Sequence, residues 1–195
     1  RAVLECAYAG CETIWIVCHD DMQPLIKHRL GEYVLDPIFL QRTRFSSEGE
    51  QQEIPIYYVP VHPKDRDKRD CLGWSVLYGA LTAYWLSKTI SKWVIPDRFY
   101  AAFPYGIYDP SLLQPHRKQI SSKKSFHIQF EDQNIKDNQY LGFTFDGEDF
   151  KKCRRYLRQE STGEFYGYDT DRIPIEERWS ARHFELDKVF ECVNI

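Results

Sequence analysis

Residues 54–93 read IPIYYVPVHPKDRDKRDCLGWSVLYGALTAYWLSKTISKW, and this stretch decides the fold. A β-branched and aromatic run stops at Pro63, seven of the next eight residues carry charge, and an almost wholly apolar segment follows that is too long for a strand. That order predicts a strand, a charged loop and a buried helix. In α/β proteins ligands collect at the carboxyl ends of strands, against the starts of the helices that follow, so this loop is the first candidate for function.

Composition bounds the alternatives. At 195 residues, 43% of them hydrophobic, the chain suffices for one substantial core and predicts a single domain over 1–195. No window of eighteen uncharged apolar residues occurs, which argues against a membrane span. The formal net charge of −3 provides no global attraction to nucleic acid or to an anionic membrane, so any affinity for phosphate has to be local. Cys6, Cys11, Cys18, Cys71, Cys153 and Cys192 contain no CxxC pair and lie mostly in apolar segments. Buried reduced thiols and a cytoplasmic setting are expected, rather than a disulfide framework or a zinc site. Arg1 and Glu5 interrupt the first apolar run, so no secretory leader is read there.

Upstream of the central stretch, small and apolar residues recur at helical spacing from Ala2 to Ala9, Gly10 suits a left-handed helix terminus, and Thr13 to Cys18 is β-rich. The chain therefore opens with a helix feeding a strand, and a further strand and loop are expected ahead of Arg1. Asp20 and Asp21 then precede Pro24 and a short helix, where helix capping is the simplest role for the two acids and a ligand role at the strand end the alternative. Residues 36–53 turn polar and read as a surface loop.

Within the central helix, Gly73 and Gly79 each cost roughly 1 kcal/mol against Ala, which calls for close approach of a backbone or a ligand. Packing accounts for Gly79. Gly73, beside Ser75 at the helix start, is better placed to turn main-chain N–H groups toward an anion. In the loop, Lys64, Arg66, Lys68 and Arg69 face Asp65, Asp67 and Asp70, a balanced set that also suits a solvated salt-bridged loop.

Downstream, a strand over 98–103 ends in a turn with Pro104, Gly106 and Pro110. Asp109 in that turn suits either a metal ion or the cap of the next helix, and composition favours the cap. SFHIQF and YLGFTF predict an antiparallel strand pair, DGEDFKKCRRYLRQ an amphipathic helix, residues 161–180 a loop, and the closing segment a strand or short helix.

In this order the chain resembles the nucleotidyltransferases of GT-A-like α/β fold, the sugar-nucleotide pyrophosphorylases and their relatives. The likeness is carried by LECAYAGCETIWIVCHDDMQPLIKHRLGEYV, by IPIYYVPVHP, by LGWSVLYGALTAYWL and, more loosely, by YLGFTFDGEDFKK. It implies a mostly parallel three-layer α/β/α sheet with an antiparallel addition in the C-terminal third. It also implies transfer of a nucleotidyl group from a nucleoside triphosphate to a phosphorylated sugar or similar small acceptor, with Mg²⁺. Main-chain N–H groups of Gly73, Trp74 and Ser75 would contact base or ribose; Arg66, Lys68 and Arg69 would meet phosphate; Asp109 and Asp169, with Asp171 as an alternative to the latter, would hold the metal.

Two departures accompany the likeness. The family's glycine-rich phosphate loop falls before Arg1, and its Gly-Asp pair near Phe103 is replaced by FPYGIYDP, leaving Asp109 as the nearest carboxylate. The alternative from another class is a catalytically silent binding or regulatory module, with Tyr105, Tyr108, Phe165, Tyr166 and Tyr168 as interface aromatics. A GT-A glycosyltransferase using Asp169 and Asp171 ranks below both. Neither nucleic acid nor membrane is expected as a partner, and a homo-oligomer is compatible with the sequence.

Overall fold

The computed structural model describes residues 1–42, 52–61, 71–166 and 185–193. The opening segment folds as its spacing requires. Helix α1 (Ala2–Ala9) ends at Gly10 with φ 93°, where an L side chain would be strained, and the Gly10 and Cys11 amides donate to the Ala7 and Cys6 carbonyls. Strand β1 (Ile14–His19) follows, then α2 (Gln23–Leu30), β2 (Tyr33–Leu35) and α3 (Pro37–Arg42), so part of the polar stretch expected as a loop is ordered as a strand and helix.

Strand β3 (Glu53–Val61) is the centre of a three-stranded sheet, parallel to β1 on one side and antiparallel to β2 on the other. Side chains alternate across it. Ile14 and Ile16 of β1 with Ile54, Ile56 and Tyr58 of β3 pack toward Val3, Cys6 and Ala7 of α1. Val17 and Val61 turn instead to helix α4 (Leu72–Ile90), whose buried residues are Gly73, Trp74, Leu77, Gly79, Ala80 and Ala83. A Cβ on Gly79 would lie 2.9 Å from Val17 Cγ2, so this glycine serves helix-to-strand packing, as expected.

The apolar central helix is less buried than its composition suggests. Its last turns leave Trp85 49%, Leu86 47% and Ile90 78% exposed. Ser91 is extended and its Oγ accepts the Trp93 amide, opening a 3₁₀ turn.

Strand β4 (Arg98–Ala101) pairs antiparallel with β5 (Phe143–Asp146), and Phe99 stacks on its register partner Phe145 at 5.1 Å. The segment around His127 lies against the other edge of β5, with the Ile128 amide on Gly142 O and the Thr144 amide on Phe126 O. The pairing expected between SFHIQF and YLGFTF is thus present as a short bridge, while β4 takes the longer pairing. Helices α5 (Arg117–Ile120), α6 (Gly147–Tyr166) and α7 (Leu186–Cys192) complete the described elements. Helix α6 extends through residues 161–166, past the point where a loop was expected.

The chain is mixed α/β, with seven α-helices and sheets of three and two strands among the described residues. One of the three strand pairings is parallel and two are antiparallel, so the described strands do not form the mostly parallel sheet that was expected. No helix among the described residues is long and apolar enough to cross a membrane.

Candidate functional site

Parallel pairing fixes where the candidate site falls. The β1–β3 register sets His19 level with Val61, so the chain leaves both strands side by side at one end of the sheet. After β1 a tight turn, with the Met22 amide donating to His19 O, places the start of α2 beyond the acidic pair. The N-cap position is Met22, whose side chain makes no capping hydrogen bond, and Asp20 and Asp21 lie just ahead of it. After β3 the chain returns at Cys71 and enters α4 directly.

Gly73, Trp74 and Ser75 occupy the first turn of α4. The Trp74 indole is 6% exposed and stacks on Tyr78 at 4.5 Å, so its side chain belongs to the core. Ser75 Oγ donates back to Cys71 O at 2.9 Å, the same carbonyl that the Ser75 amide reaches. What this turn can offer a ligand is therefore main chain. Arg66, Lys68 and Arg69, like Asp169 and Asp171, lie outside the described residues.

Asp109 is exposed and caps the 3₁₀ helix Pro110–His116, its Oδ1 accepting the Ser111 amide at 2.9 Å. That amide holds its carboxyl below the ordinary carboxylate value. Among the described residues no three His, Cys, Asp or Glu side chains are grouped to hold a metal ion. Mg²⁺ needs less from a protein, commonly one or two carboxylates completed by water and substrate phosphate, and Asp109 presents one exposed carboxylate.

The most tightly built polar cluster is elsewhere. Glu5 of α1 is wholly buried, and its carboxylate accepts from Arg1 Nη1 at 2.7 Å and from Tyr100 Oη of β4 at 2.8 Å. Arg1 Nη2 donates to Phe103 O at 2.6 Å, and the guanidinium carbon sits 4.4 Å above the Tyr108 ring. This cluster ties α1 to β4 and to the turn that carries Asp109. Tyr108 Oη is buried without a hydrogen-bond partner among the described residues. Burial first, then the Glu5 carboxylate, pushes both phenols above their ordinary value.

The sign of the resulting pH dependence follows. A tyrosine raised in the folded state contributes stability that is whole below about pH 10, the unfolded value, and is lost as pH rises beyond it. Tyrosinate absorbance should accordingly show Tyr100 and Tyr108 resisting ionisation until the chain unfolds. Titration of all thirteen tyrosines together near pH 10, with the fold intact, would contradict this.

A cavity of about 220 Å³ opens at the opposite, amino end of β1 and β3, between Gly10, Cys11, Glu12, Asp36, Gln52 and Arg117. Asp36 caps α3 through the Ile38 amide at 2.9 Å and pairs with Arg117 Nη2 at 3.2 Å. A Cβ on Gly10 would lie 2.7 Å from Arg117 Nε, so Gly10 serves both the left-handed turn and the approach of this cation. Gly10→Ala is expected to destabilise the fold by about 1–2 kcal/mol from backbone strain alone, measured by urea unfolding.

No protein-family model, curated protein or solved structure matches the chain.

The buried cluster was missed in the sequence, although a signal was present. Glu5 lies four residues from Arg1, so the two share a helix face, and it falls at helical spacing with Ala2 and Ala9 on the apolar side of α1. An acid in that position announces a buried partner.

Proposed function

We propose that the chain is a nucleotidyltransferase-like domain of the cytoplasm, transferring a nucleotidyl group from a nucleoside triphosphate to a phosphorylated sugar or similar acceptor with Mg²⁺. The observation that carries this reading is the parallel β1–β3 pair, whose ends at His19 and Val61 are level, with the glycine-containing helix α4 following β3 in the chain. In α/β proteins such strand ends are where ligands bind. The finer three-layer arrangement is supported by α1 and α4 packing on opposite faces of β1 and β3. Six free cysteines support the cytoplasmic setting.

In this reading the first-turn amides of Gly73, Trp74 and Ser75 contact base or ribose. Arg66, Lys68 and Arg69 meet the phosphates, Arg through paired donors and Lys as a point charge. Asp109, with Asp169, would hold the Mg²⁺, which neutralises charge on the phosphates when bound. The Arg1–Glu5–Tyr100 cluster positions the turn bearing Asp109 through Phe103 O and the Tyr108 ring. In the full-length protein, Asp109→Ala is expected to abolish Mg²⁺-dependent turnover, and unchanged turnover would remove Asp109 from the metal site.

A second reading, a catalytically silent binding module, draws on two observations. The Asp109 carboxylate already serves the Ser111 amide. The end of α4 also presents an apolar surface, with Trp93 85% exposed beside Ile90, and with Lys88 and Lys92 over the Trp85 and Trp93 rings. Tyr105 is 61% exposed, as an interface residue would be, whereas Tyr108 is partly buried beneath Arg1. Tyr168 lies outside the described residues. Nucleotide binding with Mg²⁺ separates the two readings.

A further inference from the structure

We propose that Cys6 and Cys11 form a redox-modifiable dithiol, closing to an intramolecular disulfide by exchange with a low-molecular-weight disulfide of the glutathione type. The placement comes from the way α1 ends. The Cys11 amide donates to Cys6 O at 3.1 Å and the Gly10 amide to Ala7 O at 3.1 Å, around a left-handed Gly10. These paired bonds define a helix terminus in which the side chains of the fourth-last helical residue and of the second residue beyond the helix meet. Those positions are Cys6 and Cys11. Termini of this kind frequently place an apolar contact there; this one places two thiols.

Access differs between the two sulfurs. Cys11 lines the 220 Å³ cavity at the amino end of the sheet, while Cys6 packs toward Val3, Ala7 and the Ile14–Ile56 cluster. Contact with the Cys11 thiol and then burial push the Cys6 thiol well above its ordinary value, which keeps it protonated until its partner has reacted. The sequence of steps follows from this. The Cys11 thiolate attacks one sulfur of the small disulfide, forming a mixed disulfide and expelling one thiolate. Cys6 then gives up its proton to that thiolate or to water, and attacks the Cys11 sulfur. The second small thiolate leaves, so two protein thiols and one small disulfide become one protein disulfide and two small thiols.

The remaining cysteines set the comparison. Cys153 is fully buried and burial raises its thiol; Cys18 and Cys192 are half-buried, each also raised by burial. Cys153 and Cys192 also lie in side-chain contact, so what sets Cys11 apart is that it lines the cavity while its neighbouring thiol, Cys6, packs behind it. Closure would pin the end of α1, the helix that carries Glu5, to the chain entering β1. The proposal rests on α1 alone and stands apart from any nucleotide chemistry.

The test equilibrates the folded full chain with mixtures of reduced and oxidised glutathione, quenches in acid and maps the linkages by peptide mass. A Cys6–Cys11 disulfide is expected at ratios that leave Cys153 reduced. Cys6→Ser, or Cys6→Ala should the serine variant fold poorly, is expected to accumulate glutathione on Cys11. Thiols at 6 and 11 that stay reduced while Cys153 or Cys192 oxidises would overturn the proposal. So would a linkage that forms only in denaturant.

Discussion

Glu5→Ala is expected to lower the unfolding free energy by about 3 kcal/mol, toward the lower end for breaking a buried ion pair. The glutamate is wholly buried, and its removal leaves the Arg1 guanidinium and the Tyr100 hydroxyl without their acceptor. Arg1 retains its bond to Phe103 O and its side chain is 19% exposed, so water offsets part of the loss. Glu5→Gln keeps an acceptor for Tyr100 but not the charge for Arg1, and should fall between the two proteins. Urea unfolding measures both. Since small domains rest on about 5–15 kcal/mol in total, a loss of this size is plain in the transition midpoint. A change under about 1 kcal/mol for Glu5→Ala would mean that the cluster contributes little.

Gly142→Ala should be comparably severe for a different reason. A Cβ there would lie 2.1 Å from Tyr100 Oη and 2.7 Å from Glu5 Oε1, so one methyl group displaces both partners of a buried hydrogen bond. Overpacking of this kind costs about 1–3 kcal/mol, and disruption of the hydrogen bond adds about 1 kcal/mol. Because the two penalties act through Tyr100, they should couple. In a Tyr100→Ala background the Gly142→Ala substitution is expected to cost less, keeping only the close approach to Glu5 Oε1, with a coupling energy of about 1–2 kcal/mol in a double-mutant cycle. Additive losses would place the strain somewhere other than Tyr100.

The local elements were legible in the sequence because their signals are local. Gly10 ended α1, Pro24 marked the first turn of α2, and the β-branched run before Pro63 became β3. Asp109 took the capping role that composition favoured. Pairing was harder to read, since it depends on contacts distant in sequence. Phe143 to Asp146 fit a strand beside SFHIQF, yet the longer partner is β4, because Phe99 and Phe145 bury their rings together. Burial of α4 was overestimated for a related reason. Composition reports that Trp85 and Ile90 are apolar but not which part of the helix the core covers.

Around the candidate site, the strand and the helix follow from the order of residues 54–93, and the loop between them lies outside the described residues. The Arg1–Glu5–Tyr100 cluster instead joins residues about a hundred positions apart, as the Tyr100–Glu5 bond shows. No local pattern reports such a contact, and only the misplaced acid on α1 hints at it.

Calorimetric titration of the full-length protein with nucleoside triphosphates in the presence of Mg²⁺ tests the proposed function most directly. Saturable binding is predicted for at least one nucleotide, lost when Arg66, Lys68 and Arg69 are together replaced by alanine and weakened by Asp109→Ala. Absence of binding by the folded protein for every nucleotide tried at millimolar concentration would contradict a nucleotide site at the ends of β1 and β3.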